Sequence, residues 1–296
     1  MEIPFRDFIR LLRPHQWIKN LLIFAPPFFG GAFSIDGELF LKMAQAFFAF
    51  SFASSTGYII NDSLDVGADR LHPEKKFRPM ASGNVSASQA VALILLIFAL
   101  SMGLSLRLGK GFTLIIILYA ILSLAYTFFL QHLVIIDAFS IALGFVLRLE
   151  AGGKASGIEV SSWLFITTFL LSLLLAFGKR RFELVSSDNS TSFRRVLSKY
   201  RINFLDAALS IFATTAIVTY SLYTVDRGPK ELIITIPFVC YGVLRYMYLV
   251  QTDAIGDPTE TLLKDKWLFI CVFLWIMITA LIIYTRYIFR LFGYII

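Results

Sequence analysis

The chain has 296 residues, of which 57% are hydrophobic and 16% charged, and it carries a formal net charge of +7; mean hydropathy is +0.74 and the pI is about 9.4. That apolarity excludes an ordinary soluble domain and predicts an all-α, multi-pass membrane protein. The basic excess sits in short segments beside apolar runs, so anionic lipid headgroups explain it better than nucleic acid does.

Apolar stretches near the roughly 20 residues that cross a bilayer lie at about 17–34, 39–60, 88–106, 112–130, 133–152, 162–178, 204–224, 232–250 and 267–288, predicting nine spans in one membrane-embedded domain, 1–296. Residues 1–16 lack the short apolar core and small-residue cleavage site of a secretory signal and are expected to form a cytoplasmic interfacial helix. At the start of the first span, Arg13-Pro-His-Gln-Trp-Ile-Lys-Asn20 offers Arg13, His15 and Lys19, with Trp17 suited to the interface. This cluster reads either as positive-inside anchoring or as a phosphate site. Pro26 and Pro27 interrupt the span.

The second span runs into Tyr58-Ile-Ile-Asn-Asp-Ser-Leu-Asp-Val-Gly-Ala-Asp-Arg-Leu71. Helical positions three, four and seven apart share a face, so Asp62, Asp65 and Asp69 are expected to converge beside Asn61. Three clustered anions repel unless a cation lies among them. Hard oxygens with no Cys or His nearby suit Mg²⁺ rather than zinc, and Mg²⁺ so held completes its shell with substrate phosphates. Pro73 and Pro79 end helical structure, so residues 61–87 are expected to form a cytoplasmic loop whose Lys75, Lys76 and Arg78 fold back toward the carboxylates. The competing reading is a solvated helix end.

At the inner turn between the fourth and fifth spans stands Tyr126-Thr-Phe-Phe-Leu-Gln-His132, followed by Asp137 and, three turns on, Arg148. Ionisable groups at membrane depth face a cavity or a partner, which leaves Arg148 open between a substrate contact and a structural pair. The sixth span ends in Gly178-Lys-Arg-Arg-Phe-Glu183, opening a second cytoplasmic loop, 179–203. Lys179 and Arg180 there are candidate phosphate contacts, whereas Arg194 to Arg201 fit lipid anchoring. An acidic and a basic loop closing over one site suit a metal-bound polyphosphate. The Lys and Arg bias places these loops and the amino terminus in the cytoplasm of a cell with the protein in its plasma membrane. Cys240 and Cys271 lie in spans without framework spacing, no P-loop or zinc spacing occurs, and His15, His72 and His132 are too scattered to be ligands.

With these residues in place, the chain resembles the UbiA-type intramembrane prenyltransferase superfamily, whose Asn-Asp-x-x-Asp-x-x-x-Asp motif is matched by Asn61, Asp62, Asp65 and Asp69. The resemblance implies nine transmembrane helices around a lipid-open central cavity. It is strongest to the subgroup of decaprenyl-phosphate phosphoribosyltransferases, through the Arg13 to Asn20 segment, Asp69 to Pro79, Gly144-Phe-Val-Leu-Arg148 with Ala151-Gly-Gly153, Gly178-Lys-Arg180, and Gly256-Asp-Pro-Thr-Glu260 with Leu262 to Lys266. Gln131 departs from the Lys that related sequences often carry. Aromatic prenyltransferases of the superfamily have a second Asp-rich motif in the later loop, where this chain has Lys179-Arg-Arg-Phe-Glu-Leu-Val-Ser-Ser-Asp188. A donor with an additional phosphate needs more guanidinium and ammonium partners than a lone diphosphate does, and phosphoribosyl pyrophosphate is such a donor.

The implied reaction is Mg²⁺-dependent transfer of 5-phosphoribose to a polyprenyl phosphate. Asp62, Asp65 and Asp69 are expected at the metal, with Asn61, Lys76, Arg78, Tyr126, Arg148, Lys179 and Arg180 at the donor, and Arg13 and Lys19 at the lipid phosphate or the 5-phosphate. Self-association is left open. The alternatives are an aromatic polyprenyltransferase using a prenyl diphosphate, and a lipid transporter.

Overall fold

The computed structural model describes residues 5–34, 37–73, 75–185, 196–226, 228–252 and 258–291, and every regular element among them is helical. Apart from short 3-10 turns, these are in chain order α1 (Phe5–Leu12), a 3-10 helix (Pro14–Phe24), α2 (Ala25–Phe29), α3 (Gly37–Leu71), α4 (Ala87–Leu108), α5 (Lys110–Phe128), α6 (Ile136–Ser156), α7 (Ser162–Val185), α8 (Ile202–Asp226), α9 (Ile236–Gln251), α10 (Pro258–Lys264) and α11 (Lys266–Leu291).

Among the described residues six segments are long and apolar enough to cross a membrane: Ala87–Leu108, Lys110–Phe128, Ser162–Val185, Ile202–Asp226, Lys230–Gln251 and Lys266–Thr285. Side chains such as Leu95, Ile121 and Leu281 stand exposed on them, which hydrocarbon tolerates and water does not. The other expected crossings fall on different architecture. Residues 17–34 divide into the 3-10 helix, α2 and a short 3-10 turn, Ala32–Ser34, because two consecutive prolines, lacking an N–H, cannot continue a helix from the preceding turn. The expected crossings 39–60 and 133–152 lie on α3 and α6, which carry more polar residues.

Two expected loops are partly helical. Helix α3 continues through the acidic motif to Leu71, just before Pro73. Helix α7 runs on to Val185, so Lys179, Arg180 and Arg181 are helical residues. Within the expected loop 179–203, residues 186–195 lie outside the described residues, as do 1–4 of the expected amino-terminal helix and 256–257 of the Gly256 to Glu260 segment.

The chain divides into two compact units: Met1–Pro26, Gly37–Gln131 and Leu147–Ile158 in the first, and Pro27–Asp36, His132–Val146 and Glu159–Ile296 in the second. In the first, α3 packs on α4 and α5, with α1 and the 3-10 helix also against it. Leu11, Ile59, Met80, Val85, Ala90 and Ile97 form a buried cluster there, and α4 opens with a Ser86–Gln89 capping box that satisfies otherwise unpaired amide groups. In the second, α7 packs on α8 and α9 around Leu174, Phe177, Leu205, Leu209, Val243 and Val250.

Candidate active site

The acidic motif lies in the first unit. Asp62 and Asp69 are both buried, and they meet on one guanidinium: Arg78 Nη1 donates to Asp62 Oδ1 at 3.0 Å and to Asp69 Oδ2 at 2.7 Å. Arg13 Nη2 also donates to Asp62 Oδ1, and its guanidinium lies over the Tyr58 ring. Asp65 is half-buried and accepts from Asn61 Nδ2 at 2.7 Å. The expected convergence of three carboxylates is thus a convergence of two. Helix geometry gives the reason: seven residues bring Asp69 to within about 20° of Asp62, while Asp65 stands about 60° round the helix, toward Asn61. Among the described residues no group of three His, Cys, Asp or Glu side chains is drawn together as a metal cluster.

Burial pushes the Asp62 carboxyl above the usual carboxylate value, and Arg13 and Arg78 pull against that shift. The two arginines therefore supply the positive charge that buried carboxylates require. Arg13 is held at φ 51°, a left-handed conformation that costs a non-glycine residue energy and is tolerated where surrounding contacts impose it. Its ion pair with Asp62 is such a contact.

Arg78 is aimed by the loop after α3. Its backbone N–H donates to Lys75 O at 2.9 Å, the His72 ring accepts from the Lys75 N–H at 3.3 Å, and Arg70 Nε ties the strand of chain beyond to Ala81 O at 3.2 Å. Met80 and Val85 anchor the far side of the loop in the core. Arg78 folds back onto the carboxylates as expected. Lys76 does not: it is exposed, its ammonium 5.2 Å from the Phe77 ring centroid.

The other expected residues of this unit are more dispersed. Lys19 donates to Gln16 Oε1, and Tyr126 is half-buried on α5. Gln131, standing where related sequences often carry Lys, donates to Thr127 O. Arg148 is buried and donates from Nε to Asn20 Oδ1 at 2.7 Å and from Nη2 to the Tyr119 hydroxyl at 3.1 Å. Of the two readings of Arg148, these contacts support the structural one, with an amide and a phenol as partners.

In the second unit, Arg180, expected as a phosphate contact, has a buried side chain. Its Nε lies 2.6 Å from Asp137 Oδ2 and its Nη1 2.7 Å from Glu183 Oε2. The Tyr200 hydroxyl donates to Asp137 Oδ1 at 2.6 Å and accepts the Ile135 N–H at 2.6 Å, fixing Ile135 at φ 71°. Burial and the hydrogen bond to Asp137 both push the Tyr200 hydroxyl well above its ordinary pKa. Arg181 pairs with Asp206 at 2.6 Å and donates to Val250 O at 2.8 Å. Lys179 is half-buried on α7.

Asn20, Tyr119 and Tyr200 received no role from sequence reasoning. Asn20 closes the Arg13 to Asn20 segment and was legible as part of a motif; Tyr119 and Tyr200 are single aromatics among many and carried no signal.

The model of the UbiA prenyltransferase family matches residues 23–181. The decaprenyl-phosphate phosphoribosyltransferase of Corynebacterium glutamicum is 36% identical over 93% of this chain and 86% of its own length. The protein of the same name from Mycolicibacterium smegmatis is 34% identical over 90% of this chain and 89% of its own. Among solved structures, a UbiA homologue from Archaeoglobus fulgidus bound to GPP and Mg²⁺ superposes with a TM-score of 0.74 at 19% identity, covering 94% of this chain and 99% of that one.

Proposed function

The chain belongs to the UbiA prenyltransferase family, and we propose that it transfers 5-phosphoribose from phosphoribosyl pyrophosphate to a polyprenyl phosphate of the decaprenyl type, releasing pyrophosphate. Likeness to the two phosphoribosyltransferases over most of both lengths supports this substrate pair. The observation that carries it into chemistry is the pairing of buried Asp62 and Asp69 with Arg13 and Arg78. A site that mixes carboxylates with guanidiniums suits a donor bearing both a metal-binding diphosphate and a further phosphate.

The donor set fits Mg²⁺: Asp62, Asp65, Asp69 and Asn61 offer only hard oxygens. When bound there, the metal supplies charge for the departing pyrophosphate. Arg78 and Arg13, which both donate to Asp62, are the guanidiniums we propose to move from carboxylate to phosphate, and Lys19, Lys76, Lys179 and Tyr126 are proposed as further donor contacts from the sequence pattern alone. The acceptor phosphate is already an anion, so no strong general base is required. Its oxygen forms a bond to C1 as the C1–O bond to pyrophosphate breaks, with inversion at C1, and positioning with charge neutralisation provides the acceleration.

The architecture we propose has nine crossings around a lipid-open cavity, the 14–34 segment, α3 and α6 joining the six apolar segments. The Lys and Arg bias supports a cytoplasmic amino terminus and acidic motif in a plasma-membrane protein.

The experiment is transfer of radiolabel from phosphoribosyl pyrophosphate into the lipid phase by purified protein with decaprenyl phosphate and Mg²⁺. Label in lipid with the wild type, lost on chelation or in Asp65→Asn, is the expected result. No label, together with turnover of a prenyl diphosphate and 4-hydroxybenzoate, would replace this reading with aromatic prenylation.

A further inference from the structure

The 3-10 helix Pro14–Phe24 is 11 residues long, whereas such helices usually stop after three or four residues because their hydrogen bonds are poor. Contacts outside its backbone must therefore hold its period. At three residues per turn, Trp17, Asn20 and Ile23 share one face, and each is fastened to the first unit. Trp17 Nε1 donates to Ser55 Oγ at 3.0 Å, and that hydroxyl donates to Leu12 O at 2.7 Å. Asn20 is fully buried; its Nδ2 donates to Ser51 Oγ at 2.9 Å and its Oδ1 accepts from Arg148 Nε at 2.7 Å. The Ile23 carbonyl stands 2.0 Å from where a Cβ on Gly152 would be, so α6 meets this helix backbone to backbone.

Arg148 lies in the middle of α6, where a guanidinium is expensive in hydrocarbon. Beyond Asn20 and the Tyr119 hydroxyl, its charge sits 5.0 Å from the Phe50 ring centroid and 4.8 Å from that of Tyr119, within cation–π range. It joins residues of α3, α5 and α6 to the 3-10 helix at residue 20, next to Lys19 and two turns from Arg13. Rewinding this segment as an α-helix would shorten it by about 5 Å and turn each residue by about 20° relative to the last. That is far more than the Arg13–Asp62 ion pair can follow.

We propose that Arg148 is a positioning residue: through Asn20 it locks the three-residue register of the 14–24 helix and thereby sets Arg13 and Lys19 for phosphate. The register lock stands on the contacts above, and its consequence for phosphate rests on the proposed transfer reaction.

The test is a double-mutant cycle with Arg148→Met, Asn20→Ala and both together, in the full-length purified protein, with Asn20→Asp as the conservative variant. Each single change is expected to raise KM for phosphoribosyl pyrophosphate about 10-fold with kcat within about twofold, and the double to be no worse than either single. Asn20→Asp keeps an oxygen for Arg148 and is expected to restore KM to near the wild-type value. Additive KM effects, or an unchanged KM, overturn the proposal, since Arg148 would then act independently of Asn20. Thermal midpoints of the same proteins are expected to be non-additive too, and they need no turnover. Were the wild type to transfer no phosphoribose, the reaction would be refuted, and the midpoints would still decide the lock: coupled midpoints uphold it and additive ones overturn it.

Discussion

Arg78 Nη1 lies 2.7 Å from Asp69 Oδ2, although the chain between them leaves a helix, passes Pro73 and turns back on itself. The same nitrogen is 3.0 Å from Asp62 Oδ1, so one guanidinium bridges two carboxylates seven residues apart on α3. The loop after the acidic motif is thus part of the site, because it delivers the cation that makes two buried anions tolerable.

Replacing Arg78 with Met should therefore do more than remove a surface charge. It leaves Asp62 with one fewer guanidinium and, in the proposed reaction, deprives the donor of a phosphate partner. We expect kcat/KM for the donor to fall about 100-fold, in the range of losing one electrostatic contact to a transition state. Lys at this position restores charge without the planar fork and should recover only part of the loss. Steady-state kinetics of the two variants checks both statements.

Much of this arrangement was legible in the sequence. The apolar runs gave α4, α5, α7, α8, α9 and α11 because hydrophobic length is what a bilayer selects. Asp62 and Asp69 could be placed together from their spacing alone. The extension of α7 past Lys179 was not legible, since composition registers where a chain leaves hydrocarbon and not where its backbone hydrogen bonds stop. The partners of Arg148 and Arg180 were hidden for another reason: Asn20 is 128 residues from Arg148, and Asp137 is 43 from Arg180. No local pattern encodes contacts over such separations.

The Asp137–Arg180 pair yields a second expectation. Both side chains are essentially inaccessible, so Arg180→Met strands a carboxylate and should cost about 3–5 kcal/mol of stability. Adding Asp137→Asn removes the stranded charge and should recover most of that. Transfer activity should return with it if Arg180 acts by supporting the end of α7. Thermal midpoints and label transfer on the single and double variants separate this role from a direct phosphate contact, which the second change would not rescue.

Two glycines should respond differently to alanine. At Gly152 the added Cβ meets a backbone carbonyl, Ile23 O, at 2.0 Å, and only movement of a whole segment relieves that. At Gly178 it meets the Tyr246 hydroxyl at 2.3 Å, the end of a buried side chain whose displacement costs its hydrogen bond to Leu175 O but moves no backbone. Overpacking of a rigid contact costs about 1–3 kcal/mol. Gly152→Ala is expected at the upper end of that range, or beyond it, with Gly178→Ala clearly milder when the two are melted side by side.

The last expectation concerns acid. Asp265 precedes α11, accepts from the Leu268 N–H at 2.8 Å as a helix cap, and pairs with Arg245 through contacts of 2.7 and 3.2 Å. The Arg245 hydrogen bond, aided by the Leu268 amide, holds its carboxyl below the ordinary value of 3.8. A carboxyl whose folded pKa is depressed stabilises the fold at pH above its unfolded pKa, and the contribution disappears as pH falls through the folded value. Asp265→Asn retains an oxygen for the Leu268 amide and loses only the charge. The midpoint gap between wild type and Asp265→Asn should therefore be open at about pH 7 and close as pH drops below the ordinary carboxylate range. Asp265→Ala should lose a further ~1 kcal/mol at either pH, because it removes the cap as well. A gap that stayed open in acid would mean that hydrogen-bond geometry, and not ionisation, holds α9 to the start of α11.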